Sequence, residues 1–365
     1  MSSAHTCDRW LLFTVLSLVL FGMVMVFSTS GMLAERYHES STYYFSRQAM
    51  WFAVGMAVMA AARFTPYRWF NTRLAVFGGM GLSLALLVAV LAGREVQGSK
   101  RWLFVHGFTF QPSELAKICA MIFLAYVLAR HFGQMRTLRP YAASGIGLGL
   151  ALTLIAMQPD FGTVALLTAV AGIMFFAANM PWLYAGVFAS VAALGLGGLM
   201  VTAPYRLQRL SAFLNPEADP LGAGFQLRQA LMAVGSGGLW GKGLGGSEQK
   251  MFFLPKPHTD FMYAIICEEF GLIGGLILLC AFLLLLWRGL RVAWHAPDSF
   301  GTLLALGLTV AVVLQAMLHM GVTLGLLPTK GLPLPFVSYG GSSLVINCLA
   351  MGILMNISAA PEQES

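Results

Sequence analysis

What this sequence lacks most is charge. Asp, Glu, Lys and Arg make up 10% of the chain, whereas 58% is hydrophobic and the mean hydropathy is +0.75. A soluble domain carries about a quarter charged residues, so a water-exposed globular fold is excluded. Cysteine is scarce too. Cys7, Cys119, Cys267, Cys280 and Cys348 are odd in number, share no short spacing and lie mostly inside apolar runs. They define neither a disulfide framework nor a zinc site. No basic run interleaved with aromatics is present, which argues against nucleic acid as a partner. The formal charge of +7 points instead to loops facing anionic membrane lipids.

What is present is a series of apolar runs, each near the ~17–25 residues that span a hydrocarbon core. They fall at roughly 10–30, 48–63, 74–93, 112–130, 141–157, 161–179, 182–202, 259–287, 300–327 and 338–358. The expected fold is an all-α polytopic membrane protein with about ten transmembrane helices, a single integral membrane domain over residues 1–365. A large external loop, about 203–258, separates the seventh and eighth spans. The first run is long enough to read as a retained anchor rather than a cleaved signal. With the N-terminus inside, cytoplasmic segments carry nine Lys and Arg and external ones six before the long loop is counted. That bias predicts both termini in the cytoplasm.

The long loop is itself basic: Arg206, Arg209, Arg228, Lys242, Lys250 and Lys256 stand against Glu217, Asp219 and Glu248. Its stretches YRLQRLSAFL and GFQLRQALMAVG alternate apolar and basic residues at helical spacing, predicting short interfacial helices in a folded cap. GSGGLWGKGLGGS (235–247) contains a formal G-x-G-x-x-G at Gly241, Gly243 and Gly246, but no strand and helix flank it. Nucleotide binding is set aside in favour of a flexible hinge.

Four further stretches place polar groups where apolar ones are expected. QPSELAK (111–117) sets Glu114 and Lys117 on one face at the start of a span. A local ion pair and an ion or ligand path stand level as readings. QPDFGT (158–163) makes Asp160 a turn and N-cap residue. LLPTKGLPLPFVSYGGSS (326–343) requires irregular backbone near membrane depth, tolerated only where protein or a water-filled cavity satisfies it. The fourth, KPHTDFMYAIICEEFG (256–271), opens an apolar span. Gly271 to Trp287 alone covers about 26 Å of helix, so Glu268 and Glu269 are expected at the outer interface, with Asp260 roughly 12 Å above Glu268. Asp260 is either a first-turn acid favourable to the helix dipole or a general base beside a basic cap, where Lys250 and Lys256 hold an anionic ligand.

Together with NPEADPLGAGFQL, these motifs run in order along nearly the whole chain and resemble the SEDS family of FtsW and RodA. PTKG with Lys330 resembles the FtsW branch. The resemblance implies a peptidoglycan glycosyltransferase that polymerises lipid II at the outer face of the bacterial inner membrane. It further implies a role in cell division, with a class B penicillin-binding transpeptidase and other divisome proteins as partners. It places the essential aspartate on Asp260 as catalytic base, with undecaprenyl pyrophosphate as leaving group, and the polar cavity of the fourth span on Glu114 and Lys117. Asp160, Lys242, Lys250, Lys256, Lys330 and Ser338 complete the candidate substrate contacts. Glu114 is the candidate ligand of a divalent cation, Mg2+ or Mn2+. His319 stands where the family usually has Asn. A lipid II flippase and a non-catalytic scaffold are the competing readings, but the ionisable residues gather toward the outer ends of spans rather than along a midplane path.

Overall fold

The computed structural model describes residues 7–38, 40–95, 98–105, 108–132, 137, 139–202, 204–215, 224–250, 258–329 and 331–360. The apolar runs become helices: α1 (Arg9–His38), α2 (Tyr43–Phe64), α3 (Arg73–Leu91), α4 (Pro112–Arg130), α5 (Arg139–Met157), α6 (Phe161–Ala177) and α7 (Trp182–Val201). After two short helices, α8 (Pro204–Leu214) and α9 (Phe225–Ser236), come α10 (Met262–Trp294), α11 (Ser299–Thr323) and α12 (Gly341–Ser358). Among the described residues, eight helices are long and apolar enough to cross a membrane. The 17-residue α6 is apolar but shorter, and α2 carries Arg47 and Arg63. Both pack in the same bundle, α2 against α1 and α12, and α6 against α5 and α11. The architecture is the all-α polytopic membrane fold that the sequence predicts.

Two cap helices form where the alternating pattern places them, and their exposed Tyr205, Leu207, Leu214 and Met232 suit an interface. An unpredicted element is an antiparallel hairpin of β1 (Leu103–Val105) and β2 (Phe108–Phe110), with Phe104 opposite Thr109. Ser342 at the start of α12 fastens it, donating to Thr109 O and accepting from Gln111 N.

Burial separates the centre from the periphery. The apolar window of α4 is 83% buried and that of α7 is 0% buried, so α4 is the axis on which α3, α5, α6 and α11 pack and α7 faces outward. At the end of the bundle away from Asp260, short polar residues tie helix termini together. Asp8 caps α1 and pairs with Arg288 (2.6 Å), and Asn356 accepts from Tyr67 N (2.8 Å). Asp298 caps α11 and accepts from the Tyr67 hydroxyl (2.8 Å). Burial, helped by Asp298, pushes that hydroxyl up to about 12, so it stays a donor.

Candidate active site

The site begins with a broken helix. Gly271 interrupts α10 with φ 67 and ψ −166, a region essentially confined to glycine. A break leaves carbonyls unpaired above it and amides unpaired below it, which membrane depth does not tolerate. The glycine-rich segment supplies the missing partners. Lys242 N donates to Glu268 O (3.0 Å) and Gly243 N to Glu269 O (2.9 Å), while Leu272 N and Ile273 N donate to Gly238 O (2.9 Å) and Leu239 O (3.3 Å). Backbone this close excludes side chains. A Cβ on Gly241 (φ 81) would stand 2.2 Å from Glu269 O, and one on Gly271 would stand 2.4 Å from Leu239 O. The expected flexible hinge is therefore corrected: the segment is a plug that completes the break.

The same plug corrects the expectation for Glu268 and Glu269. Neither carboxylate marks a solvated interface; both residues are fully buried. A buried charge needs a partner, and each glutamate has a lysine. Lys242 Nζ lies 3.0 Å from Glu268 Oε1 and 3.3 Å from the exposed Glu248. Lys250 Nζ lies 2.8 Å from Glu269 Oε1 and 3.2 Å from Ser28 of α1, which itself donates to Glu269 (2.8 Å). Hydrogen bonding to Glu268 holds the Lys242 ammonium above its ordinary range. Both lysines, expected to face an anionic ligand, thus answer internal carboxylates.

Asp260 has a different setting. It is half-buried in the turn before α10, and its neighbours are held by the loop between α11 and α12. Ser338, itself buried, donates to Thr259 O (2.7 Å) and accepts from Leu334 N (3.0 Å), and Tyr339 N donates to His258 O (2.9 Å). The rings of Tyr44, His258 and Tyr339 gather beside this turn with centroids 5.3–5.7 Å apart. Across from the carboxylate stands the backbone of Gly331, where an added Cβ would come within 3.4 Å of Asp260 Oδ2. Gly331 itself is exposed.

A buried polar layer supports that loop from below. Glu114 and Lys117, both nearly inaccessible, form an ion pair (2.8 Å) on α4. Lys117 Nζ also donates to Gln315 Oε1 of α11 (2.6 Å), and Gln315 Nε2 donates to Pro333 O (2.8 Å). One turn further along α11, His319 donates from Nδ1 to Leu332 O (2.7 Å) and accepts at Nε2 from Tyr263 N (3.4 Å). Those two contacts fix the neutral tautomer with its proton on Nδ1. The network ties α4, α11, the start of α10 and the 331–340 segment into one support. A divalent cation does not fit at Glu114: a lone carboxylate already neutralised by an ammonium at 2.8 Å would force a cation against that ammonium. Among the described residues, no group of three His, Cys, Asp or Glu side chains could hold one.

Asp160 is the predicted cap. It accepts from Thr163 N (3.3 Å) and Thr163 Oγ1 (2.9 Å), lies 3.8 Å from Arg101, and stands 3.5 Å from both Gln111 Nε2 and Ser113 Oγ at the head of α4. Its oxygens are engaged by protein groups, so it joins α6 to α4. Lys256 and Lys330 lie outside the described residues. Sequence reasoning missed Gln315, Gly331 and the lysine partners of Glu268 and Glu269. Gln315 and His319, polar at i and i+4 inside an apolar helix, were a readable signal for one face. The others depend on contacts distant in sequence.

Comparison with known proteins places the chain in a family. The family model of the FtsW, RodA and SpoVE cell cycle proteins matches residues 9–363. The chain belongs to that family. It is 39% identical over 355 residues to stage V sporulation protein E of Bacillus subtilis, covering 96% of each chain. It is 41% identical over 360 residues to a protein named probable peptidoglycan glycosyltransferase FtsW in Trichlorobacter lovleyi, covering 96% of this chain and 93% of the relative. Its fold matches a chain of a peptidoglycan synthase complex that coordinates polymerization and crosslinking, with a TM-score of 0.80, 27% identity and coverage of 96% and 97%. The rod shape determining protein RodA of Thermus thermophilus matches with a TM-score of 0.71, 27% identity and 96% coverage of both chains. Within the family, the higher identity to FtsW-named relatives agrees with the PTKG signature.

Proposed function

We propose that this protein is a peptidoglycan glycosyltransferase that polymerises lipid II at the outer face of the cytoplasmic membrane, in the service of cell division. The observation that carries this reading is the half-buried Asp260, held beside the exposed Gly331 by a buried polar support, in a chain whose relatives bear that name. Asp260 takes the proton from the acceptor sugar hydroxyl as its oxygen attacks the anomeric carbon of the donor. The new C–O bond forms on the face opposite the departing group, and the bond to the lipid diphosphate breaks, so undecaprenyl pyrophosphate leaves with the electron pair. Arg209, exposed on α8 and reaching Thr329 O (3.4 Å), is a cation at this rim suited to a diphosphate. Lys256 and Lys330, sequence neighbours of the Asp260 turn and of Gly331, are candidates for the same task. Lys117 acts at one remove, holding the loop through Gln315. Both termini are cytoplasmic in this reading, and a class B transpeptidase and divisome proteins are the partners.

The test is polymerisation of lipid II by purified protein, with and without a class B transpeptidase. Wild type makes glycan polymer and folded Asp260→Asn does not. If Asp260→Asn polymerises like wild type, the base assignment is wrong. If wild type makes no polymer in any partner condition but scrambles lipid II across vesicles, the protein is a flippase; if it does neither yet binds the transpeptidase, it is a scaffold.

A further inference from the structure

The carboxylate of Glu268 takes no part in the chemistry above, yet the donors that surround it all come from one short stretch of the cap. Ser236 Oγ (3.3 Å), Lys242 Nζ (3.0 Å), Glu248 N (3.1 Å) and Gln249 N (3.4 Å) point at it, together with a very close Ser247 Oγ. The residue is fully buried, and Ser247 in turn accepts from Lys250 N (3.3 Å). Two backbone amides and two hydroxyls around one carboxylate are the arrangement with which proteins bind a small anion. Here the anion belongs to the chain itself. The helix segment that carries Glu268, Met262 to Phe270, follows directly on the turn bearing Asp260, whose start at His258 and Thr259 is gripped by Tyr339 and Ser338.

We propose that Glu268 is a positioning residue for glycosyl transfer: an internal anion around which residues 236–249 fold, clamping the helix segment that follows the Asp260 turn. The proposal rests on the reading of Asp260 as the base. Glu268→Gln keeps shape and size but replaces an acceptor oxygen with an amide donor, so a hydroxyl or amide of the wrapping segment loses its partner. Lys242 is partly solvated and keeps Glu248, so that substitution does not strand a fully buried charge. The segment loosens and Asp260 loses its fixed distance to the acceptor hydroxyl. Because the substrate is still bound, the loss falls on the maximal rate.

The experiment uses the full-length protein with a class B transpeptidase and lipid II as substrate, comparing Asp260→Asn, Glu268→Gln, Glu268→Asp and Ser247→Ala. The expected result for Glu268→Gln is a maximal rate lowered roughly ten- to a hundredfold, the range set by a misplacement of about 1 Å. Half-saturation by lipid II stays unchanged, proteolysis within 236–250 becomes faster, and Glu268→Asp restores most of the rate. A purely structural role would not be rescued at saturating substrate in this way. If Asp260→Asn is inactive and folded Glu268→Gln runs at the wild-type rate, the positioning role is overturned alone; a rise in half-saturation with an intact maximal rate also overturns it. If Asp260→Asn is active, the base reading falls first and this proposal with it. Should Glu268→Gln fail to fold, Ser247→Ala decides: a lowered maximal rate with normal half-saturation supports the proposal, and a wild-type rate overturns it.

Discussion

Asp260, in the turn before α10, and Glu268, within the first two turns of α10, have opposite surroundings. Glu268 is enclosed, ion-paired and saturated with donors, and Glu269 beside it is enclosed by Lys250 and Ser28. Asp260 is half-buried, with its backbone neighbours gripped and a glycine facing its carboxylate. Full enclosure suits an acid that holds structure together, whereas partial exposure suits one that meets a substrate. The comparison separates two residue types that sequence composition lumps together as charges in an apolar run.

Four substitutions sharpen or break this contrast. Asp260→Asn should have the largest effect, a loss of at least ~100-fold in lipid II polymerisation with the thermal midpoint in detergent unchanged; an equal loss of folding would put Asp260 in the same class as Glu269. Lys250→Met should do the reverse. It strands Glu269 in a buried site, and breaking such a pair costs about 3–5 kcal/mol, measurable as a steep fall in thermal stability before any assay of rate. Gln315→Leu leaves Lys117 Nζ and Pro333 O without this partner, a cost of about 1–3 kcal/mol. Because Pro333 belongs to the loop facing Asp260, the polymerisation rate should fall with it. Ser338→Ala removes the donor to Thr259 O, and about 0.5–1.5 kcal/mol of stability is expected to go. A rate loss larger than that energy would mark the Asp260 turn as the part that feels it.

Those pairs also show where sequence reading reaches. Helices were legible because each is specified by its own apolar run; α4 begins at Pro112 and ends at Arg130, as its pattern requires. Asp160 was legible as a cap because a cap bonds a residue three positions on. Asp260 is singled out by its motif, and the structure places it in the turn before α10. The plug was not, since Gly237 to Gly246 has no local reason to be ordered. Its order comes from a break at Gly271 that only the folded chain brings alongside it. Likewise Lys242 and Lys250 read as surface cations until Glu268 and Glu269 are known to face them. The lysine-rich cap therefore carries less uncompensated positive charge than its composition suggests.

The broken helix also sets a timescale. Amide hydrogens in a glycine-rich loop ordinarily exchange with solvent quickly, but those of Lys242 and Gly243 are bonded to helix carbonyls. They exchange only when the plug lifts off α10, so their protection measures the free energy of that opening. The most glycine-dense part of the cap becomes an internal clock for the frame beneath Asp260, readable residue by residue without substrate or partner.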